Sequence, residues 1–470
     1  MSVLGFPEEL NFQSLKSMYP SRKQEYRKAP MNSQTFTTAG QDIQLVLSKM
    51  ENTFYDPNTL SVNFTVEYAG ITAGTAGVNG SFVLGNAYSH FSRQVVRPIS
   101  GQPIETIDNP SLLVNTILNM TMDNFEKQSL SPSFGFCADP AAGYTNLGSL
   151  IDNDITINNE IQSYSIPLIG CLNTAKLIPA FISDIEIDLT LNSLSNFIVS
   201  ITPGTANSFA TGYTIKNVEL VCECITLEES GMQQILGMFP GAFKLKSQSY
   251  LYGSSSLSSG ANAGTYDITY SHSLNALKQF IWWSSPSGVW EGNYAGVCPN
   301  LSTWQLMIGS TAYPQQPVKA ERPSECFIQN QKSFGSLYST SHSGSANRYN
   351  FAKASTIGGA RGYSSDGGSP PVLTAIGEYA AYTTRASIDT YAKAVDFKRA
   401  HKWYQCLDLE IINTLKETLY TGISTKGSTN TLRLNIGSQL ATTTHAVHFY
   451  SSFDVILEFD YANQMINVVQ

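Results

Sequence analysis

The chain has 470 residues, a formal net charge of −8 and only 14% charged residues. This length allows two or three domains of ordinary size, and the acidic balance excludes a general affinity of the whole molecule for nucleic acid. The charged fraction is well below the roughly 25% that is usual in soluble domains, which favours short strands, polar loops and surfaces that are buried against other copies.

A basic segment lies near the N-terminus, where Glu25 is the only acidic residue from Lys16 to Lys28. Clustered basic residues at a chain end predict a flexible arm, which we assign to residues 1–30. This arm is a solvated tail, a clamp on a neighbouring subunit or a contact to an anionic surface. Its basic residues are Lys16, Arg22, Lys23, Arg27 and Lys28.

Strand patterns dominate the first half of the chain. Residues 42–50 and 60–68 alternate apolar and polar side chains, which predicts two half-buried strands. Helices are predicted over 85–96 and over 111–120, and the second follows Pro110, a residue type that favours the first turn of a helix. Many strands with few helices indicate a β-sandwich or a jelly roll.

Residues 163–191 form a strongly apolar, β-prone stretch that two prolines interrupt. Its last part, 185–191, reads IEIDLTL, and this alternation places Glu186 and Asp188 on one face of a strand. We interpret that face as the solvent or interface side. A pair of glycosidase carboxylates is the alternative.

The seven cysteines are an odd number at a low density for a disulfide framework. Residues 214–227 predict a long strand that carries Cys222 and Cys224 on one face, without a second pair at zinc-ligand spacing. We therefore predict buried free thiols and a reducing compartment. The N-terminus shows no secretion-signal pattern, and no stretch is apolar for long enough to span a membrane.

An amphipathic helix is predicted over 228–239, and it ends before Pro240. Strand patterns precede this helix and resume after it, so we place the boundary between two β domains here. The predicted domains are therefore 31–240 and 241–470.

The second half repeats the strand patterns of the first. Helices are predicted over 322–335, which has Pro and an acid in its first turn and Gly after its end, and over 371–384. Gly/Ser-rich loops at 253–264 and 339–370 are expected to project from a sandwich. Strands are predicted over 246–252, 265–270, 277–283, 303–309, 402–411, 431–437 and 453–461.

Motifs that would indicate catalysis are missing from the sequence, including phosphate-binding loops, dinucleotide fingerprints, zinc-protease motifs and nucleophile elbows. His445 and His448 are three residues apart and would point to opposite faces of a strand, which suits a shared metal poorly. Trp282 and Trp283 could stack on sugar rings, although core packing is the commoner use of such residues. We predict no cofactor, no metal, no small-molecule substrate and no enzymatic activity.

Several passages, in order along the chain, resemble double jelly-roll major capsid proteins of the adintovirus, Polinton and polinton-like virus type, which are related to virophage and large DNA virus capsid proteins. The most specific passage is 306–335, in which IGSTAYPQQP precedes the predicted helix that ends in FG. The loop at 339–370 and the basic arm have no counterpart in this family. The other passages are 91–117, 163–191, 213–227, 406–410, 421–427 and 453–459.

The resemblance implies an all-β fold of two tandem eight-stranded jelly-roll barrels with a few short helices in the connections. It also implies a homotrimer that forms a pseudo-hexagonal capsomer and tiles the icosahedral shell of a dsDNA virus. The expected partners are neighbouring capsomers, penton and minor or cement capsid proteins, and the genome or an inner membrane for the arm. The expected location is the virion, after assembly in the host cytoplasm or nucleus. The packing or interface residues implied are Ile166, Pro167, Leu168, Ile178, Pro179, Tyr313, Pro314 and Pro317.

Three other interpretations of the sequence stay open. A glycan-binding β-sandwich of the receptor-binding or lectin-like kind would use the many tyrosines, the tryptophans and the long loops. A hydrolase on a β scaffold would need a pocket with convergent acids. A minor capsid or penton protein would need only one jelly roll, whereas this chain has the strand patterns of two.

Overall fold

Antiparallel strands form most of the described structure, which is a computed structural model. It describes residues 21–69, 80–82, 86–99, 101–123, 126, 129–130, 133–134, 161–174, 176–200, 212–239, 241–257, 263–286, 301–335, 403–410, 422–427, 429–437 and 445–469. Lys16, the loop predicted at 339–370 and the helix predicted at 371–384 lie outside these residues.

The first half contains twelve described strands: β1 Ser21–Lys28, β2 Thr35–Phe36, β3 Asp42–Leu47, β4 Thr53–Ala69, β5 Gly80–Phe82, β6 Phe91–Pro98, β7 Glu105–Asp108, β8 Ile161–Pro167, β9 Ile178–Pro179, β10 Ile185–Leu191, β11 Ile198–Ser200 and β12 Gly212–Leu227. The second half contains nine: β13 Ala242–Leu257, β14 Gly264–Tyr270, β15 Leu277–Pro286, β16 Leu301–Ile308, β17 Thr311–Lys319, β18 Gln405–Asp408, β19 Asn430–Ile436, β20 His445–Asp460 and β21 Met465–Val469.

Short helices lie in the connections between strands. The described α-helices are α1 Pro110–Thr121, α2 Leu194–Phe197, α3 Glu229–Met238 and α4 Pro323–Ser333. The predictions of helices at 111–120, 228–239 and 322–335 are confirmed by α1, α3 and α4. Proline occupies the start of α1 and of α4, where its missing N–H costs no hydrogen bond.

Each half of the chain folds into two facing sheets with the same strand order. The first half has β1-β12-β4-β8 in one sheet and β3-β10-β6-β7 in the other, and the second half has β13-β20-β15-β18 and β14-β19-β16-β17. When the eight principal strands of either half are numbered along the chain, both halves have the orders 1-8-3-6 and 2-7-4-5. This is the jelly-roll arrangement, so the predicted fold class is confirmed.

The core is built from the alternating apolar residues that the sequence pattern identified. On β4, for example, Val62, Phe64, Val66 and Tyr68 are at most 2% exposed. On β12 the alternation changes phase at a bulge, where Asn217 has a left-handed backbone with φ of 51°.

Cys222 and Cys224 lie on the same side of β12 beyond this bulge. Both are buried free thiols, as predicted. Burial raises the pKa of the Cys222 thiol to about 12, so this thiol stays protonated and unreactive at neutral pH.

The helix predicted over 85–96 is wrong. Only Ala87–His90 form a helical turn of the 3₁₀ type, and β6 follows directly and pairs with β10. Phe91 and Val96 are buried within this sheet. Long-range strand pairing and burial of apolar side chains have overridden the local helical pattern.

The predicted loop at 253–264 is wrong for its first five residues, which continue β13. Gly253 pairs with Phe449 of β20, and a Cβ at Gly253 would lie 2.3 Å from the ring of Phe449. This glycine therefore provides space for a core aromatic residue rather than freedom for a loop.

The first jelly roll also begins earlier than predicted. Residues 21–28, assigned to a loose arm, form β1 and pair along their whole length with β12. The arm prediction is therefore wrong for these residues, because a regular ladder of backbone hydrogen bonds to β12 fixes them. The alternation in this stretch is masked by its charged side chains, most of which are exposed.

Trp282 gives a test of the core of the second jelly roll. Its side chain is fully buried, and its ring lies 5.6 Å from Trp304 and 5.0 Å from Trp403. We expect Trp282→Ala to lower the free energy of unfolding by about 3–5 kcal/mol, since it removes a large buried side chain and leaves a cavity. Urea denaturation measures this loss. Met465→Ala, at an exposed residue, is the control and should change stability by less than about 0.5 kcal/mol; equal losses in the two variants would contradict the burial.

Buried histidines predict acid sensitivity. Burial lowers the pKa of His272 to about 4, and its Nδ1 lies 2.7 Å from Ser451 Oγ. Between about pH 4 and pH 6.5 the unfolded state therefore binds a proton at His272 that the folded state does not bind. The contribution of neutral, buried His272 to the free energy of unfolding is present above about pH 6.5 and is lost as the pH falls toward 4. Between pH 7 and 4.5 the unfolding equilibrium constant of the wild type should rise at least about tenfold relative to that of His272→Gln. Identical pH profiles in urea titrations would show that His272 is not the responsible group.

Candidate functional site at the contact between the jelly rolls

The two jelly rolls meet where β7 and the loop after β8 face β13. Glu105, at the start of β7, accepts a hydrogen bond from Ser249 Oγ of β13 at 2.5 Å. Cys171 of the loop accepts one through its carbonyl oxygen from Ser247 Oγ at 2.6 Å, and its N–H donates to Glu105 Oε2 at 2.9 Å. These hydrogen bonds link four residues across the boundary, and we call this group the joint: Glu105, Cys171, Ser247 and Ser249.

Glu105 is the ionisable group at the centre of this joint and is only 4% exposed. Burial raises the pKa of its carboxyl to about 7, although hydrogen bonds from Ser249, Cys171 and the backbone of Tyr250 act in the opposite direction. Gly170 has a φ of +100°, and a Cβ there would lie 2.1 Å from Glu105 Oε2. The site therefore requires glycine for its space as well as for its backbone conformation.

Tyr450 of β20 makes a second polar contact across the boundary. Its hydroxyl lies 2.7 Å from the carbonyl oxygen of Asp108 and 2.6 Å from that of Asn109, so both acceptors share one donor. Behind it, the ring of Trp283 stacks on His448 at 5.0 Å and 18°. This aromatic stack holds the Tyr450 ring against the end of the first jelly roll.

An aromatic chain joins the two halves near the linking helix α3. Phe54 of β4 contacts Phe181, which contacts Phe243 of β13, with centroid distances of 5.5 and 5.7 Å. Phe239, directly after α3, lies 5.8 Å from Phe243. The boundary between the jelly rolls therefore combines apolar packing with satisfied hydrogen bonds, as stable interfaces do.

The predicted packing residues of the 163–191 stretch lie on both sides of the loop that enters the joint. Ile166, Leu168, Ile178 and Pro179 are buried, whereas Pro167 is exposed. Ile166 pairs with Val62 and Ile178 with Tyr55, both of β4. The two apolar segments thus fasten the loop to the first jelly roll, and Cys171 reaches the second.

Tyr313, Pro314 and Pro317 lie on β17, at the edge of the second jelly roll, and are half-buried. The ladder with β16 is interrupted here, because Trp304 pairs with Val318 and Leu306 with Tyr313. Gln305 Nε2 donates to the carbonyl oxygens of Pro314 and Gln315 within this bulge. The structure does not bring these residues to the joint.

The described basic residues of the N-terminal segment lie along β1. Lys23 forms an ion pair with Glu223 of β12, and Arg27 pairs with Glu25 and Glu219. Lys28 donates to Ser48 Oγ. Glu219 and Glu223 lie on the neighbouring strand β12, whereas Glu25 lies on β1 itself. These ion pairs neutralise part of the local charge, so β1 presents a mixed-charge edge rather than a purely basic one.

Glu186 and Asp188 lie on one face of β10, as predicted, but that face is largely covered, since each residue is 8% exposed. Arg97 binds both, with Nε at 2.9 Å from Glu186 and Nη2 at 3.0 Å from Asp188. Burial raises the pKa of Asp188 to about 6, and Arg97 opposes this. The shared arginine accounts for the pair as part of an ion network rather than as catalytic acids.

Other chemistry-bearing residues that the sequence singled out are packed in the core. Trp282 and Trp283 are fully buried, so neither presents a face to a sugar. His445 and His448 are buried too, and their ring nitrogens lie near Ser284 and Tyr252 respectively. Among the described residues there is no group of three or more His, Cys, Asp and Glu side chains arranged to hold a metal ion.

None of the described helices has the length and apolar character needed to cross a membrane.

An apolar cavity of about 80 Å³ lies beside α1, with Val114, Ile117, Leu118 and Ile166 among its lining residues. This cavity lies within the first jelly roll and does not include Glu105 or Tyr450.

This architecture is similar to that of several solved viral structures. The alignment with a chain of the Sputnik virophage structure covers 100% of this chain and 93% of the Sputnik chain, with a TM-score of 0.62 and 12% identity. The alignment with VP54 of PBCV-1 covers 98% of this chain and 99% of VP54, with a TM-score of 0.58 and 11% identity. The alignment with the mavirus major capsid protein covers 100% of this chain and 95% of the mavirus chain, with a TM-score of 0.53 and 11% identity. No family model matches the chain, and no curated protein matches it in sequence.

These solved structures are double jelly-roll major capsid proteins, and this chain has their fold over almost its entire length. The recognition of a double jelly roll in the sequence is thereby confirmed. The finer assignment to the adintovirus or Polinton type stays a prediction.

Glu105, Ser247, Ser249 and Tyr450 were not identified from the sequence. Glu105 lies within a passage that resembles the family. Its hydrogen-bond partner Ser249 is 144 positions away, and the local sequence pattern around Glu105 does not indicate so distant a contact. A carboxylate in a stretch of alternating residues (Glu105 and Ile107 are both buried) was the one available signal. A strand that places an acid on its buried face needs a polar partner there.

Tyr450 provides a test of the boundary. Tyr450→Phe keeps the ring and removes the donor that two carbonyl oxygens share, so we expect the free energy of unfolding to fall by about 1–3 kcal/mol. Urea denaturation measures the change. The control is Tyr313→Phe, at a half-buried edge residue, which should alter stability by less than about 0.5 kcal/mol. Equal effects of the two substitutions would argue against the contact with Asp108 and Asn109.

Proposed function

We propose that this chain is a major capsid protein, a structural component of an icosahedral virus shell. The observation that carries the proposal is the presence of two jelly rolls of identical strand order that are joined through buried contacts. In addition, the chain aligns with viral major capsid proteins over nearly the full length of both aligned chains. The low charged fraction of 14% supports a protein with extensive surface buried between copies.

The assembly proposed is a homotrimer in which six jelly rolls form a pseudo-hexagonal capsomer. A closed ring of three copies uses one heterologous surface three times, and such a block, with its six upright barrels, can tile a shell. Neighbouring capsomers and penton and minor or cement capsid proteins would be its partners in the virion. Assembly in the host cytoplasm or nucleus fits the free cysteines.

The N-terminal residues have a more limited role in this proposal than a free arm would have. Arg22, Lys23, Arg27 and Lys28 are held in β1, so they can contact a neighbouring subunit or an anionic surface only from the edge of the first jelly roll. Any longer reach toward genome or inner membrane would depend on the residues before Ser21, which include Lys16.

The alternatives draw less support from the structure. The described tryptophans are at most 1% exposed, which weakens a glycan-binding function based on exposed Trp. The shared Arg97 of Glu186 and Asp188 weakens a glycosidase. Two jelly rolls in one chain favour a major over a minor capsid or penton protein.

The oligomer is the direct test of the proposed function. Purified protein at micromolar concentration is expected to have a mass near three times 51.3 kDa by light scattering and to appear as hexagonal particles by electron microscopy. The trimer should persist on dilution, because an obligate interface of several thousand Å² dissociates weakly. A monomer at every concentration would contradict the proposal.

A further inference from the structure

The joint holds one buried carboxyl group between the two jelly rolls. Glu105 belongs to β7 of the first jelly roll, Cys171 to the loop that β8 and β9 fasten to the same body, and Ser249 to β13 of the second. Both carboxyl oxygens are engaged, Oε2 by the Cys171 N–H and Oε1 by the Ser249 hydroxyl. Rearrangement at Glu105 therefore affects contacts on both sides of the boundary at once.

The groups that face Glu105 offer no counter-ion. Tyr88 comes from the 3₁₀ turn, Cys171 from the loop and Tyr250 from β13, and burial raises the pKa of each, so all three stay uncharged at neutral pH. The described groups that act on the pKa of Glu105 include hydrogen-bond donors but no lysine, arginine or histidine. An ionised Glu105 is consequently a buried charge that only dipoles stabilise.

The donors around the carboxyl accommodate either state. Two N–H groups and a hydroxyl can stabilise a carboxylate, and the Ser249 hydroxyl can also rotate to accept a hydrogen bond from a neutral carboxylic acid. Gly170 lets the backbone approach Oε2 closely, since a Cβ at this position would overlap that oxygen. Glu105 is only 4% exposed, so contact with solvent contributes little to the stabilisation of the charge.

We propose that Glu105 is a proton-controlled latch, in which the neutral carboxylic acid holds β13 firmly on the first jelly roll and ionisation loosens that contact. The latch acts within one chain and so does not depend on the capsid function proposed above. Its physical basis is the low polarity of the closed joint, which penalises the charged form more than the three donors compensate.

The direction of the pH dependence follows from where the proton is bound. The pKa of Glu105 is about 7 in the folded chain against 4.5 for an unperturbed glutamate. The folded state thus holds a proton that the unfolded state has lost, so this contribution to stability is fully present below about pH 4.5 and is lost as the pH rises through 7. His90, His272 and His445 act in the opposite direction, so the effect of Glu105 has to be isolated by comparing the wild type with a variant.

The variant that isolates it is Glu105→Gln in the full chain, because glutamine has the shape of the neutral acid and cannot ionise. Urea unfolding at pH 5 and pH 8 is expected to show that the unfolding equilibrium constant of the wild type rises at least about tenfold relative to that of Glu105→Gln. Glu51→Gln, at an exposed position, should follow the wild type. Parallel profiles of the wild type and Glu105→Gln would overturn the latch.

A local measurement separates the latch from a general effect on stability. After correction for the intrinsic rate, hydrogen exchange in peptides covering residues 245–251 of β13 should be several-fold faster in the wild type at pH 8 than at pH 5, and should not change in Glu105→Gln. Peptides from β16, away from the joint, should not show this difference. Uniform changes in β13 and β16 would overturn the latch.

Ser249→Ala gives an independent result should Glu105→Gln fail to fold. The Ser249 hydroxyl favours the ionised carboxyl, so its removal should shift the midpoint of the pH-dependent exchange in β13 to higher pH. Ser256→Ala, on the same strand but distant from Glu105, should leave the midpoint unchanged. A midpoint that does not move in Ser249→Ala would show that another group titrates.

Discussion

The pairing of the first and last of the eight principal strands in each half is the constraint on which the architecture depends. β1 lies beside β12 and β13 beside β20, although each pair is separated by almost the whole length of its jelly roll. The principal strands that lie between them in the sequence take the remaining places in the two sheets. This pairing also brings the start and end of each body together, so that α3 and a few residues suffice to connect them.

Long central strands make this closure stable. β12 and β20 each have 16 residues and hydrogen-bonded neighbours on both sides, so their backbone groups are satisfied while alternate side chains enter the core. Burial of polar groups is unfavourable at the boundary between the jelly rolls, where backbone and side-chain groups of the first half pack against the second half. Hydrogen bonds from Ser247, Ser249 and Tyr450 satisfy those groups.

The sequence was sufficient for the elements whose environment is local. Alternation identified β10 and the second halves of β4 and β20, and the proline and acid at the start of α4 identified that helix, because these signals arise from neighbours along the chain. Residues 85–96 and 253–257 were misassigned because their structure is set by β10 and β20, far away in sequence. The joint could not be derived for the same reason: Glu105, Cys171 and Ser249 come from three distant segments, and only the fold brings them to one point.

The mixed charges of β1 bear on how this chain avoids association through the edge of its sheet. β1 lies at the end of its sheet order and exposes most of its side chains, so its outer backbone groups form a template on which a strand from another molecule could grow. Arg22, Lys23, Glu25 and Arg27 make such growth unfavourable, since an incoming strand would have to strip water from a row of ionised side chains. The charged side chains of β1 thereby disfavour edge-to-edge pairing between two copies of this chain.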